Sequence, residues 1–330
     1  MRDNPIGQAV WLDLSGTMTE TILISPFAGC GPQQIPNRVY SDNGLYQREM
    51  EAFFYKGHWC YVALECEIPN AGDYKATMIG ERPVIVVRDR DGSVNVLENR
   101  CAHKGAKFCQ KEFGNAKVFV CPYHQWGYRL NGELAGVPMK NGVGGQGGMD
   151  ADFKLEEHGL NRLKVQVHNG IVFASFDPDV EPFEQFIGSG LMPFFNRTFD
   201  GRKLTLLGYN RQRIRGNWKL MQENIKDPYH PGLLHVFFVT FGLWRADQKS
   251  ELRIDPRGRH AQMISTRNAG GENAEVTKGV TSFKRALKLE DPRLMDVVQE
   301  GWWQGPTAVM QTIFPSVIIQ QQVNSLSTRQ

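Results

Sequence analysis

Cys101-Ala-His103 and, after 17 intervening residues, Cys121-Pro-Tyr-His124 decide how this chain is read. Each of the two short segments offers one thiolate and one imidazole. A structural zinc site usually groups Cys with Cys on one knuckle and His with His on the other. Here the pairs are mixed. Mixed pairs suit a two-iron, two-sulfide cluster with both thiolates on one iron and both imidazoles on the other, so that each loop straddles the cluster. Neutral imidazoles in place of two thiolates remove negative charge and raise the reduction potential above that of an all-Cys cluster. Gly105 and Pro122 permit tight loops whose backbone N–H groups point at sulfur, and Gln125-Trp126 is placed to cover them. Cys109 fits neither pair and reads as a small buried apolar residue.

Short strands surround the motif. Val84-Ile-Val-Val87, the Asp91-Gly92 turn and Val94-Asn-Val-Leu97 predict a β-hairpin, and further hairpins are expected at Asn131-Gly132 and Asn169-Gly170. With a helix from Tyr46 to Tyr55 leading in, residues 50–176 are expected to form a compact antiparallel β domain. Residues 1–49 read as an N-terminal arm packed on the rest. After Pro178 the pattern predicts a helix near Glu184 to Phe195, a strand over Leu204 to Ile214 and an aromatic-rich helical segment from Trp218. Residues 245–300 read as surface helices and loops, and Thr307 to Val323 as one buried strand. The region 177–330 is therefore α+β. Two domains agree with a norm of about 150 residues per domain for a 330-residue chain.

A second constellation lies in that region, Asn224-Ile-Lys-Asp227-Pro-Tyr229-His230-Pro-Gly-Leu-Leu-His235. Histidines five apart sit about 140° apart on an ideal helix and would face different targets. Pro228, Pro231 and Gly232 break such a helix, and a bent one swings both imidazoles onto one metal. Open coordination faces would remain for dioxygen and substrate. Asp227 is placed to hydrogen-bond an imidazole N–H and fix its tautomer.

Bulk properties exclude other classes. A net charge of +3, with Lys and Arg spread along the chain, does not call for nucleic acid. Arg211, Arg213 and Arg215 would share one face of a strand, a solvated face or a dock for an acidic partner. No stretch approaches a membrane span, the N-terminus lacks a charged start followed by an apolar run, and the cysteines lack disulfide spacing, so a cytoplasmic protein is expected. Gly142-Val-Gly144-Gly-Gln-Gly147 matches a dinucleotide-binding pattern, but no strand feeds it and no helix starts on it.

The wording GNWKLMQENIKDPYHPGLLH, GPTAVMQTIFPSVIIQQQVNS and KLEEHG, together with the Cys/His pairs, resembles the large (α) subunits of Rieske non-haem iron aromatic-ring-hydroxylating oxygenases, from about Asn37 to Gln330. The resemblance implies an antiparallel β Rieske domain on a helix-grip (START-like) catalytic domain. It implies a Rieske 2Fe-2S cluster on Cys101, His103, Cys121 and His124, and a mononuclear Fe(II) on His230 and His235. Asp227 would bridge to the cluster of a neighbouring subunit, which calls for a trimer, α3 or α3β3. A small β subunit, a ferredoxin and a ferredoxin reductase fed by NAD(P)H are implied as partners, with O2 as co-substrate. The implied reaction is hydroxylation of an aromatic acid of the salicylate type. The alternatives are cis-diol formation from anthranilate, benzoate or terephthalate, and an electron-transfer Rieske protein without oxygen chemistry. A substrate pocket is expected between the bent helix and the strand after Phe314, where Ile318, Gln320, Gln322 and Asn324 alternate onto one face, with Asn224 opposite. One departure stands out: the family's third iron ligand is an aspartate beyond the stretch matching 312–328, and nothing up to Gln330 matches it. The expectation is a C-terminally incomplete catalytic domain with a weak or empty iron site.

Overall fold

The computed structural model describes residues 29–31, 34–236, 240, 249–266, 278, 306, 308–322 and 325–330. Most of the expected N-terminal arm, most of the 245–300 region and Asn324 lie outside the described residues.

The chain enters through helices α1 (Arg38–Ser41) and α2 (Asn43–Glu49), where the Asp42 carboxylate caps α2 by accepting from the Leu45 N–H at 2.8 Å. A π-helical turn at Met50–Phe54 completes the helical stretch expected up to Tyr55. Ten strands follow: β1 (Cys60–Leu64), β2 (Asp73–Ile79), β3 (Arg82–Arg88), β4 (Val94–Glu98), β5 (Phe113–Asn115), β6 (Phe119–Val120), β7 (Gly127–Tyr128), β8 (Leu134–Gly136), β9 (Lys164–His168) and β10 (Ile171–Ser175). They pair as β1-β10-β9, β4-β3-β2-β5 and β6-β7-β8, all antiparallel. The three expected hairpins are β3–β4, β7–β8 and β9–β10. Asn169 and Gly170 both take positive φ, 48° and 89°, as a two-residue turn between twisted strands requires.

Strand alternation divides the interior into three cores. In β3, Val84 and Val86 face a core that also contains Met50, Phe54, Cys60, Val62 and Val172, whereas Ile85 and Val87 face one that contains Cys101, Phe108, Cys121 and Tyr128. In β1 and β10, Cys60, Val62, Val172 and Ala174 face the first core. Tyr61, Ile171 and Phe173 face a third, shared with Phe183, Phe186, Phe195, Ile313 and Ile319. The sheets carrying β3 and β10 thus stand between two cores, which is why those two strands read as unbroken apolar runs. The cluster-bearing loops and the aromatic residues from Phe183 to Phe199 lie in cores separated by two sheets and a middle core.

The second half comprises α3 (Phe183–Ile187), α4 (Met192–Thr198), α5 (Lys219–Lys226) and α6 (Pro231–Leu234), then β11 (Lys249–Ile254), β12 (Ala261–Thr266), β13 (Ala308–Ile313), β14 (Val317–Gln322) and β15 (Ser325–Arg329). These five strands form one antiparallel sheet in chain order. Three expectations are corrected. Within 245–300, read as surface helices and loops, the described residues 249–266 carry the paired strands β11 and β12, and β12 is buried between β11 and β13. Thr307 to Val323 is not one strand but the β13–β14 hairpin, turning at residues 314–316, where Pro315 has no N–H to give a ladder. Leu204 to Ile214 is not a strand: it runs without ladder hydrogen bonds, and every residue from Thr205 to Ile214 is exposed. Its arginines are therefore not one face of a sheet. Arg211 pairs with Glu112, and Tyr209 packs on Phe113 at 5.2 Å and donates to Glu67. The glycine-rich segment is a loop in which Gly142, Gly144, Gly145, Gly147 and Gly148 all take positive φ, and no helix begins there.

Candidate metal centres

The two Cys/His loops are built alike. In the first, the Cys101 N–H donates to the Ala106 carbonyl and the Cys101 carbonyl accepts from the Gly105 N–H, both at 2.9 Å. In the second, the Cys121 N–H donates to the Trp126 carbonyl and the Cys121 carbonyl accepts from the Gln125 N–H, again at 2.9 Å. The residue four beyond each cysteine is left-handed, Gly105 at φ 72° and Gln125 at φ 56°. Glycine meets that demand freely; a glutamine does so at a cost and marks a loop held by its surroundings. The shared turn buries both cysteines, 4% and 1% exposed, and swings His103 and His124 to a ring separation of 4.6 Å.

The surroundings fix the rings. Trp126 is buried and stacks on His103 at 4.7 Å and 8°. Burial, with the His124 and Lys104 charges beside it, lowers the His103 pKa, keeping the imidazole neutral as a metal ligand must be. Its Nδ1 is buried without a hydrogen-bond partner. A ring nitrogen in that position is costly unless it serves as a ligand, so the donor set fits a Rieske cluster. Among the described residues no three His, Cys, Asp or Glu side chains gather to hold a single ion. A cluster asks for two donors per iron, not three. Cys109 lies in the core, its backbone tied to the Asn99 side chain by two 2.9 Å hydrogen bonds.

The second constellation sits where α5 stops. Its carboxyl end is at Asp227, the chain bends through Pro228 and Tyr229, and α6 starts at Pro231. The break brings His230 and His235 to a ring separation of 5.2 Å at 66°, the convergence an unbroken helix would deny them. His230 Nδ1 lies 3.0 Å from the Asp227 carbonyl and 3.3 Å from its carboxylate, so the N–H sits on Nδ1 and the lone pair on Nε2. That Nε2 is 3.4 Å from Asn224 Nδ2. Desolvation, then the charges of His230 and Arg329, lowers the His235 pKa. The two imidazoles brought together at this bend fit two positions of an iron site.

Arg329 was not singled out in the sequence. On β15 it lies directly opposite Ile318, so it shares the face of Ile318, Gln320 and Gln322. It donates to the Gln320 side-chain oxygen, and Gln320 Nε2 donates to Gln322 Oε1 at 2.9 Å. Among the described residues no carboxylate pairs with it, and desolvation lowers its pKa although the residue itself is exposed. The opposite face of the sheet is closed by a buried amide ladder, Gln262 to Gln311 at 2.7 Å and Gln311 to Thr198 at 3.0 Å, packed under α4.

The comparisons agree with this geometry. Residues 58–147 match the model of the Rieske [2Fe-2S] domain. The chain belongs to the Rieske-type ring-hydroxylating oxygenases, as a large oxygenase subunit. It is 64% identical to the large oxygenase component of salicylate 5-hydroxylase from Ralstonia sp., over 91% of this chain and 72% of that protein. It is 40% identical to the large subunit of anthranilate 1,2-dioxygenase from Burkholderia cepacia, over 90% and 70%. Among solved structures it is similar to naphthalene 1,2-dioxygenase from Rhodococcus sp. bound to indole, with a TM-score of 0.69 at 26% identity over 89% of this chain and 68% of that one. Among the described residues no helix is long and apolar enough to cross a membrane.

Proposed function

We propose that this protein is the terminal oxygenase of a multicomponent system that hydroxylates an aromatic acid of the salicylate type. The observation that carries the reading is the convergence of His230 and His235 at the bend after α5, in the same chain as the paired Cys/His loops. Cys101, His103, Cys121 and His124 hold the Rieske cluster within residues 50–176. His230 and His235 hold Fe(II) within residues 177–330, with 1–49 as an arm. When bound, the cluster passes single electrons and the ferrous ion activates dioxygen.

The chain's own residues do the rest. Asp227 fixes the His230 tautomer through Nδ1, and with its side chain 46% exposed it is presented to the cluster domain of a neighbouring subunit in a trimer. Among the described residues Arg329 has no carboxylate partner; its charge depresses His235, and it receives the substrate carboxylate. Its bond to Gln320, which in turn is tied to Gln322, limits where the fork points, and Asn224 lies on the other side beside His230. An acid held at Arg329 has its ring directed toward the imidazoles, the side on which the guanidinium charge acts on His235. A small β subunit, a ferredoxin and a reductase drawing on NAD(P)H complete the system, in the cytoplasm, where thiols stay reduced.

The test is dioxygen uptake by the protein supplied with NADH, a reductase and a ferredoxin. Salicylate is expected to stimulate uptake and to yield a product with one added hydroxyl. A cis-diol from anthranilate, benzoate or terephthalate would place it with the dioxygenases instead. Absence of stimulation by any aromatic acid, with the cluster present and reduced, overturns the oxygenase reading.

A further inference from the structure

We propose that Glu49 is a positioning residue for the second metal centre, acting on it through α5. Its side chain is 7% exposed and receives two donors from the amino end of that helix. Lys219 Nζ donates to the two carboxylate oxygens at 2.8 and 2.6 Å, and Trp218 Nε1 donates to one of them at 3.1 Å. A second tie runs beside the first, from the Asn217 side-chain amide to the Tyr40 carbonyl at 3.1 Å. A buried ion pair adds little net stability over apolar packing, but donors converging on one carboxylate fix direction as well as distance. The charge also suits the helix: an ammonium in the first turn opposes the helix dipole, and the carboxylate beside it reverses the sign.

The two sides of this contact have different attachments. On one side, α2 and the turn after it are fixed to the first half of the chain: Tyr46 donates to Glu81 at 2.8 Å, and Met50 and Phe54 lie in the core of Val84 and Val86. On the other, Trp218 packs edge-on against Phe54 at 5.2 Å and lies 5.8 Å from Phe314. From Lys219, α5 runs eight residues to Lys226, a rod of about 12 Å at ~1.5 Å per residue. Its far end carries Asn224, whose amide lies 3.4 Å from His230 Nε2, and stops at Asp227, which holds His230 Nδ1. A tilt of the rod at Glu49 therefore moves Asp227 and His230. Arg329 is on β15, tied to Tyr61 through its neighbours, and does not move with them. Glu49 thus governs the iron side of the site and leaves the acid-holding side alone.

This rests on the reading of His230 and His235 as iron ligands, and the experiment separates the two claims. Backbone hydrogen exchange is followed by mass spectrometry in the full chain and in Glu49→Gln, alongside salicylate-dependent dioxygen uptake with NADH, a reductase and a ferredoxin. Exchange across residues 219–227 is expected to quicken about tenfold, the order for local opening after loss of a buried charged partner, with the loops 101–106 and 121–126 as in the wild type. The kcat is expected to fall about tenfold at an unchanged KM. In Glu49→Gln/Lys219→Met, exchange is expected to be no faster than in the faster single variant, because the two groups act as one pair. If Glu49→Gln does not fold, Lys219→Met, which keeps the stem and removes the charge, is judged by the same readings. Exchange in α5 within about twofold of the wild type, acceleration spread evenly over the chain, or a KM that rises as far as kcat falls overturns the proposal. A wild type whose uptake no aromatic acid stimulates overturns the oxygenase reading, and exchange in α5 still decides the role of Glu49.

Discussion

Acidification is expected to loosen the sheet behind the second metal centre through one histidine. His260 is fully buried at the start of β12, and both ring nitrogens are used in the neutral form. Nε2 lies 2.7 Å from the Phe186 carbonyl, to which it donates, and Nδ1 accepts from the Phe314 N–H at 3.1 Å. Protonating Nδ1 would set two N–H groups against each other and charge a buried ring. Burial is the largest cause that lowers its pKa, to about 4, with Arg259 and Arg257 adding to it against the opposing pull of the Phe186 carbonyl and Asp255. A histidine whose folded pKa lies below its unfolded value of 6.5 contributes stability above pH 6.5, and that stability is lost as pH falls toward 4. Between pH 7.5 and 5 preferential protonation of the unfolded chain raises the unfolded-to-folded ratio about thirtyfold, or about 2 kcal/mol. The loss is aimed at the turn that supports α5, because Gln222 donates to the Pro315 carbonyl at 3.3 Å. The assay is urea unfolding of the wild type and His260→Gln at both pH values, followed by tryptophan fluorescence. The other histidines are common to both proteins and cancel. The wild type is expected to lose about 2 kcal/mol more than the variant on acidification. Equal losses in the two proteins would refute the assignment of the effect to His260.

Arg329→Leu is expected to raise the KM for an aromatic acid about tenfold, the order of one charge-assisted hydrogen bond at an exposed site, while the cluster spectrum is unchanged. Steady-state dioxygen uptake across substrate concentration reads this, and an unchanged KM removes Arg329 from the substrate site. Asp227→Asn is expected to leave reduction of the cluster by dithionite intact and to slow its reoxidation by dioxygen in the presence of substrate at least about tenfold, the usual effect of losing a partner to a metal-bound imidazole. Stopped-flow absorbance measures it; reoxidation at the wild-type rate would leave Asp227 with only the local hydrogen bond to His230.

What the sequence could show depended on whether the deciding contacts were local. The cluster loops were legible because ligand, turn and cover lie within six residues of each cysteine, Cys101 to Ala106 and Cys121 to Trp126. The bend at the second centre was legible for the same reason: Pro228 just before His230, and Pro231 and Gly232 between the two histidines, break the helix beside the ligands they serve. The strand expected over Leu204 to Ile214 went wrong because a strand is a relation between two segments. An alternating pattern supplies one of them and says nothing about the other. In Thr307 to Val323 the β-branched run concealed a turn that Phe314-Pro315-Ser316 already signalled through the missing N–H.

Arg329 shows the remaining limit. Its neighbours in sequence, Thr328 and Gln330, tie down to the first half of the chain, through the Tyr61 hydroxyl at 3.1 Å and the Tyr61 carbonyl at 3.1 Å. An isolated arginine among Ser, Thr and Gln carries no pattern, and only the β14–β15 register places it across from Ile318 and beside the glutamines. The same two tethers have a physical consequence. The strand that presents the guanidinium to the imidazoles is anchored on β1, whose other face belongs to the middle core against which the cluster-bearing sheet packs. A substitution in that middle core, far from either metal centre, therefore acts on the position of Arg329 before it acts on the cluster loops, which hold their shape by hydrogen bonds of their own.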